Sequence, residues 1–147
     1  MGWARQQKLL IFAGAVLFLL GLLQGAVLQS FHNPRMALSA HLTAVQSGMA
    51  LMIAGAVWTL VLLPSQPEKV ARWTTCIGMY GLWIGLTLSA ATGASATLPI
   101  AGAGYAASQL VEALISMIVL GSSGLMTVGW FLLVVGLFRS LCANPRD

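Results

Sequence analysis

The stretch Leu9–Leu28, LLIFAGAVLFLLGLLQGAVL, decides the fold class. It carries no charge, and at 1.5 Å of rise per helical residue about 20 such residues cross the ~30 Å hydrocarbon core of a bilayer. Arg5 and Lys8 precede it, as basic residues precede the apolar core of a secretory leader. The run is too long for that core, however, and no clean small-x-small cleavage site follows it. Working outward, three further stretches have the same character: about Leu42–Leu63, Trp73–Ala94 and Val111–Phe138. The 147 residues are therefore expected to form one all-α domain, an integral membrane four-helix bundle.

Composition supports this. The chain is 59% hydrophobic and 7% charged with a mean hydropathy of +0.90, whereas a soluble domain carries roughly a quarter charged residues. The pI of 9.7 does not indicate nucleic acid. The basic residues stand singly between apolar runs and form no patch, so nucleic acid is excluded as a partner. Cys76 and Cys142 lack metal-site spacing and read as packing or surface residues.

The breaks between spans carry turn chemistry. Asn33-Pro34 offers an N-cap followed by proline at the first helical position, and Pro64-Ser65-Gln66-Pro67 ends the second span. Thr97–Ser108 contains Pro99, Gly102 and Gly104 and no charge, so it reads as a loop able to lie at the membrane surface. Arg5, Lys8, Lys69, Arg72, Arg139 and Arg146 collect on one side and Arg35 alone on the other. The positive-inside rule puts the first group, and both termini, in the cytoplasm. The address implied is a bacterial-type inner membrane, crossed several times. Trp3, Trp58 and Trp73 then fall near the cytoplasmic interface and Tyr105 near the other. The pairs Gly21–Gly25, Gly81–Gly85 and Ala44–Gly48 indicate close helix contact or oligomerisation.

Polar groups at membrane depth are costly, and here they gather towards the non-cytoplasmic side. His32, Asn33, Arg35, Ser39, His41, Gln46 and Ser47 lie in the first loop or the outer half of the second helix. Thr87 and Ser89 lie on the outer half of the third, and Glu112 begins the fourth. At 100° per residue, Arg35, Ser39, Leu42 and Gln46 share one stripe of the second helix. Ala37, His41, Ala44 and Gly48 share another, which suggests room beside His41 for a flat group. A neutral imidazole suits a metal or haem iron, and equally a hydrogen bond to a helix neighbour. Arg35 and Glu112 are the full charges near the outer ends and are expected to pair. Tyr80 is either a phenol donor inside a pocket or packing. Phosphate loops, paired carboxylates, Ser/His/Asp sets and zinc spacings do not occur.

The run Asn33-Pro34-Arg35-Met36-Ala37-Leu38-Ser39-Ala40-His41-Leu42, followed by Gly48-Met49, resembles the hydroxylaminobenzene mutase family. Tyr80-Gly81, Leu98-Pro99-Ile100-Ala101 and the Gln109, Glu112 start of the fourth helix fit as well. The resemblance implies a small four-span isomerase that converts N-hydroxyarylamines to ortho-aminophenols. The spacing from His41 to Gly48 also resembles the styrene oxide isomerases, trimers with ferric haem b between subunits and this histidine on the iron. That resemblance makes His41 the iron ligand, lined by Ala37, Ala44 and Gly48. It makes the protein a homotrimer taking a small aromatic substrate from the lipid. Ferric haem would act as a Lewis acid on the substrate oxygen, while Tyr80, Gln46 or Ser47 steadies that oxygen and Arg35 and Glu112 assist. Both groups usually have asparagine where this chain has Ser47, which puts the substrate in question. An epoxide isomerase and a non-catalytic haem-binding membrane subunit are the competing readings. The second is disfavoured as an electron conduit, since His32, the other histidine, lies in a loop. A channel would need a polar stripe through the whole bilayer, and the cytoplasmic halves are almost wholly apolar.

Overall fold

The structure, a computed structural model, describes residues 2–143, with side chains from Arg5 onward. The side chain of Trp3 and all of Arg146 lie outside the described residues. Four helices make up the fold: α1 (Gly2–Ala26), α2 (Pro34–Val57), α3 (Ser65–Thr92) and α4 (Gln109–Cys142). Short 3-10 turns at Leu28–Ser30 and Trp58–Leu60 follow α1 and α2. All four helices are long and apolar enough to cross a membrane, so the chain is a multi-pass membrane protein. With 34 residues, α4 spans about 50 Å and so must tilt in the bilayer or project from it.

Helices α2 and α3 begin well before the apolar stretches at Leu42 and Trp73. Hydropathy marks what lipid can cover, whereas capping decides where the helix starts. The Asn33 side chain accepts from the Met36 N–H at 3.1 Å with Pro34 at the first position, as its sequence suggests. The α3 helix ends on Gly93, whose φ of +82° is the left-handed conformation that favours glycine.

Packing is sequential: α1 lies along α2, α4 lies along α3, and α2 joins the two pairs against α3. Glycine makes both close pairs possible. A Cβ on Gly48 would come within 2.6 Å of the Phe18 nitrogen and 2.7 Å of the Gly14 oxygen, and one on Gly21 within 2.8 Å of the Ala44 Cβ. On the other side, a Cβ on Gly78 would come within 2.5 Å of the Met126 nitrogen. Backbones this close gain dispersion contacts that lipid cannot match. The small stripe of α2 is thus already occupied. Ala37 and Ala44 are fully buried, and Gly48 faces the α1 backbone. Ala44 and Gly48 line the contact with α1, and Ala37 packs under Leu86, Ala90, Leu98 and Ala101, so all three are covered within the chain, which corrects their assignment to a cofactor wall.

The bundle has a basic end. Arg72 donates to the Gln6 side chain, and the Trp58 indole donates to Glu68 at 3.1 Å. These contacts place the starts of α1 and α3 beside the end of α2, with Arg5, Lys8 and Lys69 at the same level. The Leu62 N–H donates to the Gly136 carbonyl at 3.1 Å, which brings the end of α4 there too.

The glycine contacts predict a difference between two Gly→Ala changes. Gly48→Ala should lower stability by about 1–3 kcal/mol, the usual cost of overpacking. Gly121→Ala, which meets open space on α4, should leave stability unchanged or raise it by up to about 1 kcal/mol through helix propensity. Detergent-induced unfolding followed by circular dichroism measures both; equal effects would contradict the packing described.

Candidate functional site

His41 sits one turn above Ala44 on α2 and leans on α1. Its Nδ1 lies 2.7 Å from the Gly21 carbonyl oxygen. A carbonyl can only accept, so Nδ1 carries a proton, and in the neutral imidazole Nε2 keeps its lone pair. Gly25, one turn further along α1, makes room for the ring: a Cβ there would lie 2.8 Å from the imidazole Cε1 and 2.9 Å from Nδ1. The histidine is half-buried. One ring nitrogen anchored on a backbone carbonyl with the other left as a donor is how metal-binding histidines are held. No group of three or more His, Cys, Asp or Glu residues that could hold a metal ion occurs among the described residues. A metal at His41 would therefore need most of its ligands from elsewhere, as a haem macrocycle provides. The donor set fits haem iron on that ground.

Gln46 and Ser47 do not join His41 within one chain. Gln46 is rotated about 140° around α2 from His41, and Ser47 about 120° in the other sense. Both line a separate open groove of about 370 Å³ between α2, α3 and α4, together with Met79, Leu82, Met126 and Trp130. Tyr80 is also elsewhere. Its phenol donates to the Ala13 carbonyl at 2.7 Å, so it ties α3 to α1 and has no free proton for a substrate oxygen.

Arg35 and Glu112 do not pair, which corrects the ion pair expected between them. The one ion pair among the described residues is Arg72–Glu68 at 3.8 Å. Glu112 instead accepts from the backbone N–H groups of Ser95 (3.0 Å), Ala96 (2.9 Å) and Ala107 (3.1 Å). Arg35 donates to the Ala103 carbonyl, and the Asn33 amide donates to the Ala101 carbonyl at 3.0 Å. The reason is geometric: the loop between α3 and α4 offers unpaired N–H groups to the carboxylate and unpaired carbonyls to the cation. The loop is thereby strapped across the outer end, and Leu98 and Ala101 pack on Met36, Ala37, Ala40, Leu86 and Ala90. His32 stands edge-on to Tyr105, ring centroids 5.4 Å apart, at the rim of this strap.

Two buried polar residues that tie helices together, Gln24 and Glu68, escaped the sequence reading. Gln24 is 6% exposed; its carbonyl accepts from the Trp83 indole at 2.7 Å and its amide donates to Thr87 at 3.1 Å. It adjoins Gly25 and so fixes the rotation of α1 against which His41 rests. Glu68, also 6% exposed, takes the Trp58 and Arg72 contacts at the basic end. A signal was available for each, since a glutamine inside an apolar run and a carboxylate among cations both demand partners.

Comparison with known proteins bears on this geometry. The family model described as styrene oxide isomerase matches residues 6–138. Hydroxylaminobenzene mutase HabA of Ectopseudomonas oleovorans is 34% identical over 134 residues, covering 90% of this chain and 99% of that protein. Hydroxylaminobenzene mutase HabB of the same organism is 36% identical over 139 residues, covering 94% of this chain and 85% of that protein. No solved structure matches this chain.

The loop strap predicts the behaviour of Glu112→Gln. Hydrogen bonds to a charged partner contribute roughly 1.5–3 kcal/mol, and the amide would also present an N–H to donors. Amide exchange at Ser95, Ala96 and Ala107 should quicken by about tenfold or more, while the Gly48 region on α2 stays protected. Hydrogen–deuterium exchange in detergent reads this directly; unchanged loop exchange would refute the strap.

Proposed function

This chain belongs to the styrene oxide isomerase family, and we propose that it moves the hydroxyl of an N-hydroxyarylamine to the ring, giving an ortho-aminophenol. Isomerase chemistry of the mutase type is what its relatives' names share. The observation that carries the finer reading is His41, anchored through Nδ1 on the Gly21 carbonyl with Nε2 left to bind.

The reaction is an isomerisation: one N–O bond breaks, one ring C–O bond forms, and a ring proton is exchanged for one on nitrogen. No net oxidant or reductant is required. His41 Nε2 would hold the iron of ferric haem b, which when bound supplies a Lewis acid for the substrate oxygen. The Gly21 carbonyl orients the imidazole and raises its basicity. Gly25 keeps the ring from being displaced, and the Gln24–Trp83–Thr87 bonds hold α1 in register behind it.

Substrate-facing polar groups come from Gln46 and Ser47, whose groove opens sideways between helices. Because that groove lies on another face of α2 than His41, the working unit in this reading is a homo-oligomer. A trimer, by resemblance, lets one copy's groove complete the site at another copy's histidine. Tyr80 serves as a brace between helices, and Arg35 and Glu112 act through the loop. The sideways opening suits a small apolar aromatic entering from lipid, and the low dielectric strengthens each hydrogen bond to the migrating oxygen. A bacterial inner membrane is the setting that fits such a substrate. Epoxide isomerisation is the second reading, favoured by the family description.

Membranes containing the chain, incubated with hydroxylaminobenzene or with styrene oxide, distinguish the two. Formation of 2-aminophenol is the expected outcome, and phenylacetaldehyde alone would transfer the assignment to the epoxide. The purified protein should show a Soret band that disappears in His41→Ala together with activity. A colourless, folded and active protein would rule out the haem reading.

A further inference from the structure

Helices α1 and α3 run in the same direction and touch little along their length. Between them, in the half of the bundle nearest the basic end, lies an apolar groove of about 250 Å³. Its walls are Leu9, Phe12 and Ala13 from α1 and Arg72, Trp73 and Cys76 from α3. Leu9, Phe12 and Trp73 are 56%, 68% and 60% exposed, so these walls are open to whatever surrounds the protein. Two hydrogen bonds bound the groove. Tyr80 on Ala13 closes it toward the midplane, and Arg72 on Gln6 bridges it near the basic end. From Gln6 to Ala13 is about 10 Å of helix, a length suited to a segment of an alkyl chain.

The chemistry at the mouth is of one sign. On α1, Arg5 precedes Leu9 by four residues and Lys8 precedes Phe12 by four, so each continues a wall of the groove toward its basic end. On α3, Lys69 stands four residues before Trp73 and seven before Cys76, continuing the opposite wall. All three cations are exposed. The nearby carboxylate, Glu68, is already engaged by the Trp58 indole and by Arg72. Both helices also present their N-termini here, the ends at which the helix dipole favours an anion. An apolar slot topped by three exposed cations and two helix N-termini complements a molecule with an acyl chain and a phosphate.

We propose that the α1–α3 groove binds an anionic phospholipid, one acyl chain lying along Leu9, Phe12 and Trp73 and the phosphate among Arg5, Lys8 and Lys69. The site is separate from the histidine and does not depend on the proposed activity. The bound lipid fills a gap that the two helices do not close themselves, with Trp73 at the glycerol level as aromatic side chains are at membrane interfaces.

The test uses the full chain in lipid nanodiscs doped with photoreactive phosphatidylglycerol or phosphatidylcholine of matched acyl chains, each with a diazirine on the chain. Peptide mapping should find adducts concentrated on residues 9–13 and 73–76, and more from phosphatidylglycerol than from phosphatidylcholine. Lys8→Gln and Lys69→Gln should each reduce that preference by about fivefold, as a cation near an anionic headgroup contributes. Arg139→Gln removes a charge from the same end of the bundle on α4 and should leave the preference unchanged. Equal labelling by the two lipids would overturn the proposal. So would adducts spread evenly over the outward-facing side chains, an equal response to Arg139→Gln, or cross-links between two copies in place of lipid adducts.

Discussion

The rest of the structure depends on one contact, the approach of α1 to α2 at Gly14, Gly21, Gly25, Ala44 and Gly48. In lipid there is no hydrophobic gain from bringing two apolar helices together, so association rests on dispersion between closely fitted surfaces. Glycine at these positions brings main chains, not side chains, into contact. A carbonyl of α1 is then within reach of an imidazole on α2, and the His41–Gly21 bond follows from helix packing instead of from any separate site-building element. Widening that interface by one methyl group would move the carbonyl and the ring apart. Stability and the poise of His41 are thus the same physical quantity at this seam.

A second constraint acts at the outer end. Sixteen residues without regular structure, 93–108, connect α3 to α4, and each carries backbone groups that need partners. Glu112 takes three N–H groups, while Asn33 and Arg35 supply donors to two carbonyls. The charges that hydropathy leaves isolated in the sequence are therefore anchors for a cover over the α2–α3 core. Gly93 and Gly104, both with positive φ, let the chain reverse where it leaves α3 and again before α4. Asn33 contributes twice, capping α2 with its oxygen and holding the loop with its nitrogen.

Much of this architecture was legible in the residues. Four long apolar runs, three of them free of charge and the fourth carrying only Glu112 at its start, give four spans, because lipid admits few alternatives to a helix, and Asn33-Pro34 marks a helix start whose cap is the one observed. The site was less legible. Periodicity puts Ala37, His41, Ala44 and Gly48 on one face, but a face does not name its neighbours. The space beside the small residues is filled by α1 at Ala44 and Gly48 and by α3 and the loop after it at Ala37. Arg35 and Glu112 looked like partners because charge was counted and backbone was not; loop N–H groups and carbonyls are invisible in a residue count. Of the two readings open for Tyr80, a donor in a pocket or packing, the structure shows a brace between helices, its proton going to a carbonyl 67 positions earlier. Gln24 was masked by the strongly apolar residues on either side of it, though its two bonds to α3 give the bundle its one polar link at that depth across α1 and α3.

These particulars restrict where chemistry can occur. Inside one chain, the Tyr80 phenol, the Gln24 amide, the Asn33 amide and the Glu112 carboxylate all have protein partners, whereas the Thr75 hydroxyl, sealed between α3 and α4 beside Gly129, has none. The groups open to a substrate are the Nε2 lone pair of His41 and the Gln46–Ser47 groove, and these lie on different faces of α2. A cavity enclosed by a single four-helix bundle would have needed both on the inner face. The sequence places them on the flanks, so any reaction using both takes place where the helices meet something other than their own bundle.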